Sequence, residues 1–113
     1  MQFKGDLEAL ILGVLEGTEL HGYQIAKQIR QLSDEALDIG EGKLYPSLHD
    51  MEQKGIVEAE WFNQSGKPSR RVYRLTETGH HELERKREEW RRFANGVAAV
   101  LAARDPEPGH DPV

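Results

Sequence analysis

Four cations crowd into the segment from Asn63 to Arg74, where Lys67, Arg70, Arg71 and Arg74 occur with no acidic residue among them. The whole chain carries a formal net charge of -5, so this stretch is a local basic excess on an acidic background. Such a cluster is suited to a polyanion, whose phosphates offset the mutual repulsion of the cations. A second set lies upstream in Lys43, Tyr45, Ser47 and His49. Lys43 can neutralise a phosphate or donate to guanine, while Tyr45 and Ser47 suit phosphate hydrogen bonds or contact with a thymine methyl. Each residue alone also admits a plainer reading. A basic hairpin can be a solvated sheet edge that discourages strand addition, and Tyr45 can be a half-buried packing residue.

These side chains need a scaffold to aim them. From Asp6 to Glu16, Leu7, Leu10, Ile11, Val14 and Leu15 recur at three- and four-residue steps, which predicts an amphipathic first helix. Gly17 and Thr18 break it, and a second helix is expected from Gly22 to Leu32, with His21 packing or hydrogen-bonding at its start. Leu37-Asp38-Ile39 alternates as a short strand would. The third helix is expected from about Gly42 to Gly55, with Leu44, Leu48 and Met51 as its buried seam and Pro46 in its first turn, where a missing backbone donor costs little.

Val57 to Trp61 then alternates apolar and acidic residues, NQSGKPS supplies a turn, and Tyr73 and Leu75 share one face of a returning strand. Thr76 is a suitable N-cap for a last helix from Glu77 to about Ala103, although Gly79 stands where a capping box would have Glu or Gln. The expected class is α+β and mainly helical: a winged helix-turn-helix over residues 1–76 with a two- to three-stranded wing sheet. A long C-terminal dimerisation helix over 77–103 and a disordered tail over 104–113 complete the expectation. The third helix divides as a groove reader must, one face packed and the other open.

At 113 residues, 37% hydrophobic and 31% charged, the chain reads as one soluble, helix-rich unit. It has no cysteine, which excludes disulfides and thiolate metal sites and fits a reducing compartment. No secretory leader or membrane-length apolar run is apparent, so a cytoplasmic location is expected. GxSxG, a phosphate-cradling glycine loop and a cysteine nucleophile are all missing, so an enzyme is not expected. No cofactor is expected either. His80 and His81 are adjacent and project about 100° apart on a helix, too divergent to hold one metal ion together.

The runs LEALILGVLEGTELHGYQIAKQI, GKLYPSLHDMEQKGIVEAEW and RRVYRLTETG closely resemble the PadR-like transcriptional regulators. The resemblance covers residues 5 to about 95, and its most specific pieces are His21-Gly22-Tyr23, Leu44-Tyr45-Pro46 and Tyr73-Arg74-Leu75-Thr76 with Gly79. It implies a homodimeric regulator of double-stranded DNA that binds an imperfectly palindromic operator, usually as a repressor. By that analogy Tyr45, with its neighbours Lys43, Pro46, Ser47 and His49, enters the major groove. Tyr23 supports or contacts the DNA backbone, and the wing carries Arg70 and Arg71; Lys67 is placed at the wing's apex by its position between Gly66 and Pro68. His49-Asp50 departs from the His-Arg pair of many relatives, which puts a copied operator sequence in doubt.

On the last helix Leu83, Trp90 and Val97 are spaced by seven, with Phe93 and Val100 on the adjoining rung. That seam is suited to meet another helix, so these five residues form the expected dimer surface. The single terminal helix resembles a smaller PadR-like subgroup whose dimer centre binds flat hydrophobic compounds, which makes Trp90 and Phe93 effector candidates and leaves ordinary packing as the alternative. Two further functional readings stand beside the repressor: a winged helix used as a protein-interaction module, and a metal-responsive regulator.

Overall fold

Apolar residues at helical spacing form α1 (Leu7–Leu15) in the computed structural model of the chain, which describes residues 7–103. Ile11, Leu12 and Leu15 are buried there. Leu12 falls off the face that the periodicity predicts, and it is buried because α1 packs against α2 (Gly22–Leu32), α3 (Glu41–Gln53) and α4 (Glu77–Ala102) at once. A helix covered on several sides does not show one clean stripe.

The expected strand at Leu37-Asp38-Ile39 is not formed. The Leu37 N–H donates to Ser33 Oγ at 3.0 Å, and Leu37 and Ile39 lean on the core from an irregular connection. Their alternation reflects two packing side chains without a strand ladder. The third strand is β1 (Leu20–His21), which joins β2 (Val57–Gln64) and β3 (Lys67–Leu75) in an antiparallel sheet of order β1-β3-β2. Leu20 pairs with Tyr73 and His21 with Val72.

α3 starts one residue earlier than expected, at Glu41, and Pro46 is its sixth residue, in the second turn and not the first. Proline has no N–H, so the Gly42 carbonyl lacks its intrahelical donor; both residues are exposed, and water can serve that oxygen. The helix ends as its glycine predicts. Gly55 has φ +74°, its N–H reaches the Glu52 carbonyl, and the Ile56 N–H reaches the Met51 carbonyl at 3.1 Å, closing a Schellman motif.

In the hairpin Val57, Ala59 and Trp61 lie opposite Leu75, Tyr73 and Arg71, with Gly66 at φ +72° in the turn and a register shift between Phe62 and Gln64. Thr76 then caps α4 by accepting from the Gly79 N–H at 3.0 Å. Its hydroxyl also donates to the Gly55 carbonyl at 2.7 Å. The fold is α+β, mainly helical, with a winged helix-turn-helix and a long C-terminal helix. Its core draws Ile25 and Ile29 from α2, Leu44, Leu48 and Met51 from α3, and Val57, Tyr73 and Leu75 from the sheet. The expected tail over 104–113 lies outside the described residues.

Candidate nucleic-acid interface

α2 begins where β1 ends, and His21 makes the transition. Gln24 Oε1 accepts from the His21 N–H at 3.2 Å and caps the helix start, and the His21 Nδ1 lies 3.4 Å from the Gln24 N–H. The next residue, Gly22, is buried against the Tyr45 ring of α3: a Cβ there would lie 2.5 Å from Tyr45 Cε1. The two helices approach closely because position 22 has no side chain. Tyr45 remains 42% exposed and Tyr23 60% exposed, so both present their rings outward beside this contact.

The wing closes the other side. Arg70 Nη1 lies 2.8 Å from His21 Nε2, which brings a wing cation to the start of α2. Arg71 Nη2 donates to Glu52 Oε2 of α3 at 2.5 Å, and its guanidinium lies 5.8 Å from the Trp61 ring centroid and 5.7 Å from that of Tyr73. A cation held between two aromatic faces and a carboxylate is fixed in place. Together these groups line a cleft of about 310 Å³ in which His21, Tyr23 and Tyr45 face Arg70, Arg71 and Trp61. No carboxylate is among the lining residues.

The structure thus joins Tyr23, Tyr45, Arg70 and Arg71 at one cleft. Lys43, Pro46, His49 and Lys67 are exposed and do not line it, and Ser47 is half-buried with its hydroxyl directed to Met51 Sδ at 3.9 Å. Arg74, counted in the basic segment, points elsewhere: it donates to Glu58 at 2.8 Å and to Glu60 at 3.0 Å and also pairs with Glu19. Its charge is cancelled by two acids of β2 and one just ahead of β1. Sequence reasoning missed His21, Trp61 and Tyr73 as lining groups. Trp61 was accessible in principle, because a two-residue period aligns it with Arg71 once the hairpin register is fixed.

A second feature lies on the helical side. Leu83, expected in the dimer surface, is 3% exposed and belongs to the chain's own core. Trp90 is half-buried, its ring meets Phe93 edge-on at 5.6 Å between centroids, and it lines an apolar groove of about 370 Å³ with Leu10, Gly13, Leu37 and Leu83. Phe93, Val97 and Val100 are 47%, 42% and 68% exposed on the distal half of α4. Among the described residues no three His, Asp or Glu side chains converge as a metal site. Nor is any described helix long and apolar enough to cross a membrane.

The sequence model of the transcriptional regulator PadR-like family matches residues 11–85. A PadR family transcription regulator of known structure from Clostridium difficile is 35% identical with a TM-score of 0.75, covering 86% of this chain and 99% of that one. A transcriptional regulator from Clostridium thermocellum superimposes with a TM-score of 0.78 at 28% identity, covering 86% and 94%. The negative transcriptional regulator PadR of Bacillus subtilis is 29% identical over 77 residues, 68% of this chain but only 42% of that protein. Bacillus subtilis PadR in complex with operator DNA has the same fold, with a TM-score of 0.65 at 23% identity over 99% of this chain and 55% of the other.

Proposed function

The chain belongs to the PadR-like family of transcriptional regulators, and we propose that it acts as a homodimer that binds a palindromic operator and represses transcription. The observation that carries this reading is the cleft where Tyr23, Tyr45, Arg70 and Arg71 converge with no carboxylate lining it, on a chain whose net charge is -5. On an acidic protein a carboxylate-free basic and aromatic surface is where a phosphate backbone is least repelled. Lys43, Pro46, Ser47 and His49 on α3 would face base edges and neighbouring phosphates, and Lys67 at the wing turn would follow the backbone. Repression and operator binding draw support from the printed names of the Bacillus subtilis relative and of its DNA complex. The cytoplasm is the location consistent with that role.

The dimer reading rests on the distal half of α4, where Phe93, Val97 and Val100 leave a continuous apolar stripe for a second copy. Trp90 and Phe93 would then lie beside the two-fold axis, and the apolar groove next to Trp90 suits a flat hydrophobic effector.

Binding to duplex DNA from the region upstream of the protein's own gene tests the central claim. Wild-type affinity should fall steeply with salt, because each neutralised phosphate releases counterions. The double reversal Lys67→Glu and Arg70→Glu should cost at least about tenfold and flatten the salt dependence. Unchanged retention by the reversed protein, insensitive to salt, sinks the DNA reading in favour of a protein-interaction module.

A further inference from the structure

His21 has a hydrogen-bond donor aimed at each of its ring nitrogens. The Gln24 N–H faces Nδ1 at 3.4 Å, and Arg70 Nη1 lies 2.8 Å from Nε2. A guanidinium and a backbone N–H can only donate, whereas a neutral imidazole offers a single lone pair. The shorter distance assigns that lone pair to Arg70. A protonated imidazole has none to offer, so proton uptake breaks the Arg70 contact and sets two cations side by side until an anion comes between them. The other groups facing His21 across the cleft are Arg71 and Tyr73 of β3, Tyr45 of α3 and Tyr23 of α2, whose ring lies 6.2 Å from the imidazole. Glu52, the acid at the cleft's edge, is already engaged by Arg71.

We propose that His21 couples DNA binding to proton uptake: unprotonated it holds Arg70 back, and protonated it releases Arg70 and joins it on the same backbone phosphate. The inference rests on the DNA-binding reading above. In the free protein, burial and then the charge of Arg70 push the imidazole below its usual 6.5, so at neutral pH it is unprotonated and latched to Arg70. A phosphate in the cleft reverses the local field and favours the proton. The bound complex therefore holds more protons than the free protein, and affinity rises as pH falls through the window between the depressed free value and the raised bound one.

Fluorescence anisotropy at constant salt, with a mixed-sequence duplex carrying a pH-insensitive rhodamine, tests this from roughly pH 8 to pH 5.5. Wild-type affinity should rise by up to about tenfold per pH unit for each engaged cleft, and so by up to about a hundredfold for the dimer, within the window. Calorimetry in two buffers of different ionisation enthalpy should show proton uptake. His21→Asn supplies a capping acceptor on α2 and should flatten the profile, whereas His81→Gln, exposed on α4 away from the cleft, should retain the slope. The His21 Cε1–H resonance of the unmutated protein gives a reading that needs no variant, since its midpoint should move up when duplex is added. A wild-type slope in His21→Asn, or an imidazole midpoint unmoved by duplex, overturns this inference and leaves DNA binding standing. No binding at any pH overturns both.

Discussion

At Gly22 an added methyl group would lie 2.5 Å from Tyr45 Cε1, and at Gly79 it would lie 2.0 Å from the Ile56 carbonyl oxygen. The obstacles differ in kind. A half-exposed tyrosine ring can swing outward at modest cost, but a main-chain carbonyl at the base of the hairpin cannot. Gly22→Ala should therefore leave stability within about 1 kcal/mol of wild type while displacing Tyr45 and weakening DNA binding about tenfold, roughly the 1.4 kcal/mol of one lost contact. Gly79→Ala should cost about 3 kcal/mol, the upper range for forced overpacking, read from the urea midpoint at constant m-value. Comparable losses of stability in the two variants would show that the Tyr45 ring is not the yielding partner. Gly79 also explains the absent capping-box acid, since no side chain fits there. Residue types were legible in the sequence, but partnerships were not. The basic segment showed four cations, yet Arg74 is claimed by Glu58, Glu60 and Glu19, and Arg71 by Glu52.

Thr76 holds the joint between hairpin and α4 with two hydrogen bonds from one hydroxyl, accepting from Gly79 and donating to the Gly55 carbonyl. Thr76→Val keeps the shape and removes both. A capping loss together with an orphaned carbonyl should destabilise by about 2 kcal/mol, measurable by chemical denaturation; a change below about 0.5 kcal/mol would mean that water replaces the hydroxyl at both sites. The longer elements were readable because each has its own period: helical steps in α1, α2, α3 and α4, and twofold steps in the hairpin. β1 was not readable, because two residues have no period of their own and are a strand only through Tyr73 and Val72, some fifty positions later. Leu37 and Ile39 gave the opposite error, an alternation with no ladder behind it. Pro46 was placed in the first turn although it lies in the second, five residues past the helix start at Glu41.

A single copy of this molecule leaves Phe93, Val97, Val100 and Leu101 in contact with solvent on one helix, the kind of apolar stripe that suits a partner surface. Val97→Glu with Val100→Glu should convert a species of twice 12.9 kDa into one of 12.9 kDa in light scattering. The circular dichroism of the winged helix should remain, because both positions lie beyond the core. An unchanged mass would remove α4 from the dimer interface. The flanks of α4 are mixed in sign: Arg85 bridges Glu82 and Glu89 within the helix, while Arg87 bridges Glu84 and Glu16, just past α1, and so ties the first half of α4 to the body. The junction at Thr76 is the base of this helix. The Thr76 N–H and hydroxyl grip Ile56 and Gly55, Gly79 abuts the Ile56 carbonyl, and those residues close the C-terminus of α3. α4 is 26 residues long, a lever of about 39 Å, so a displacement of about 1 Å at its far end is a rotation of only about 1.5° at the base. A shift that small at the remote end would reach α3, the helix proposed to face DNA, through the Thr76 joint and the Arg87–Glu16 pair.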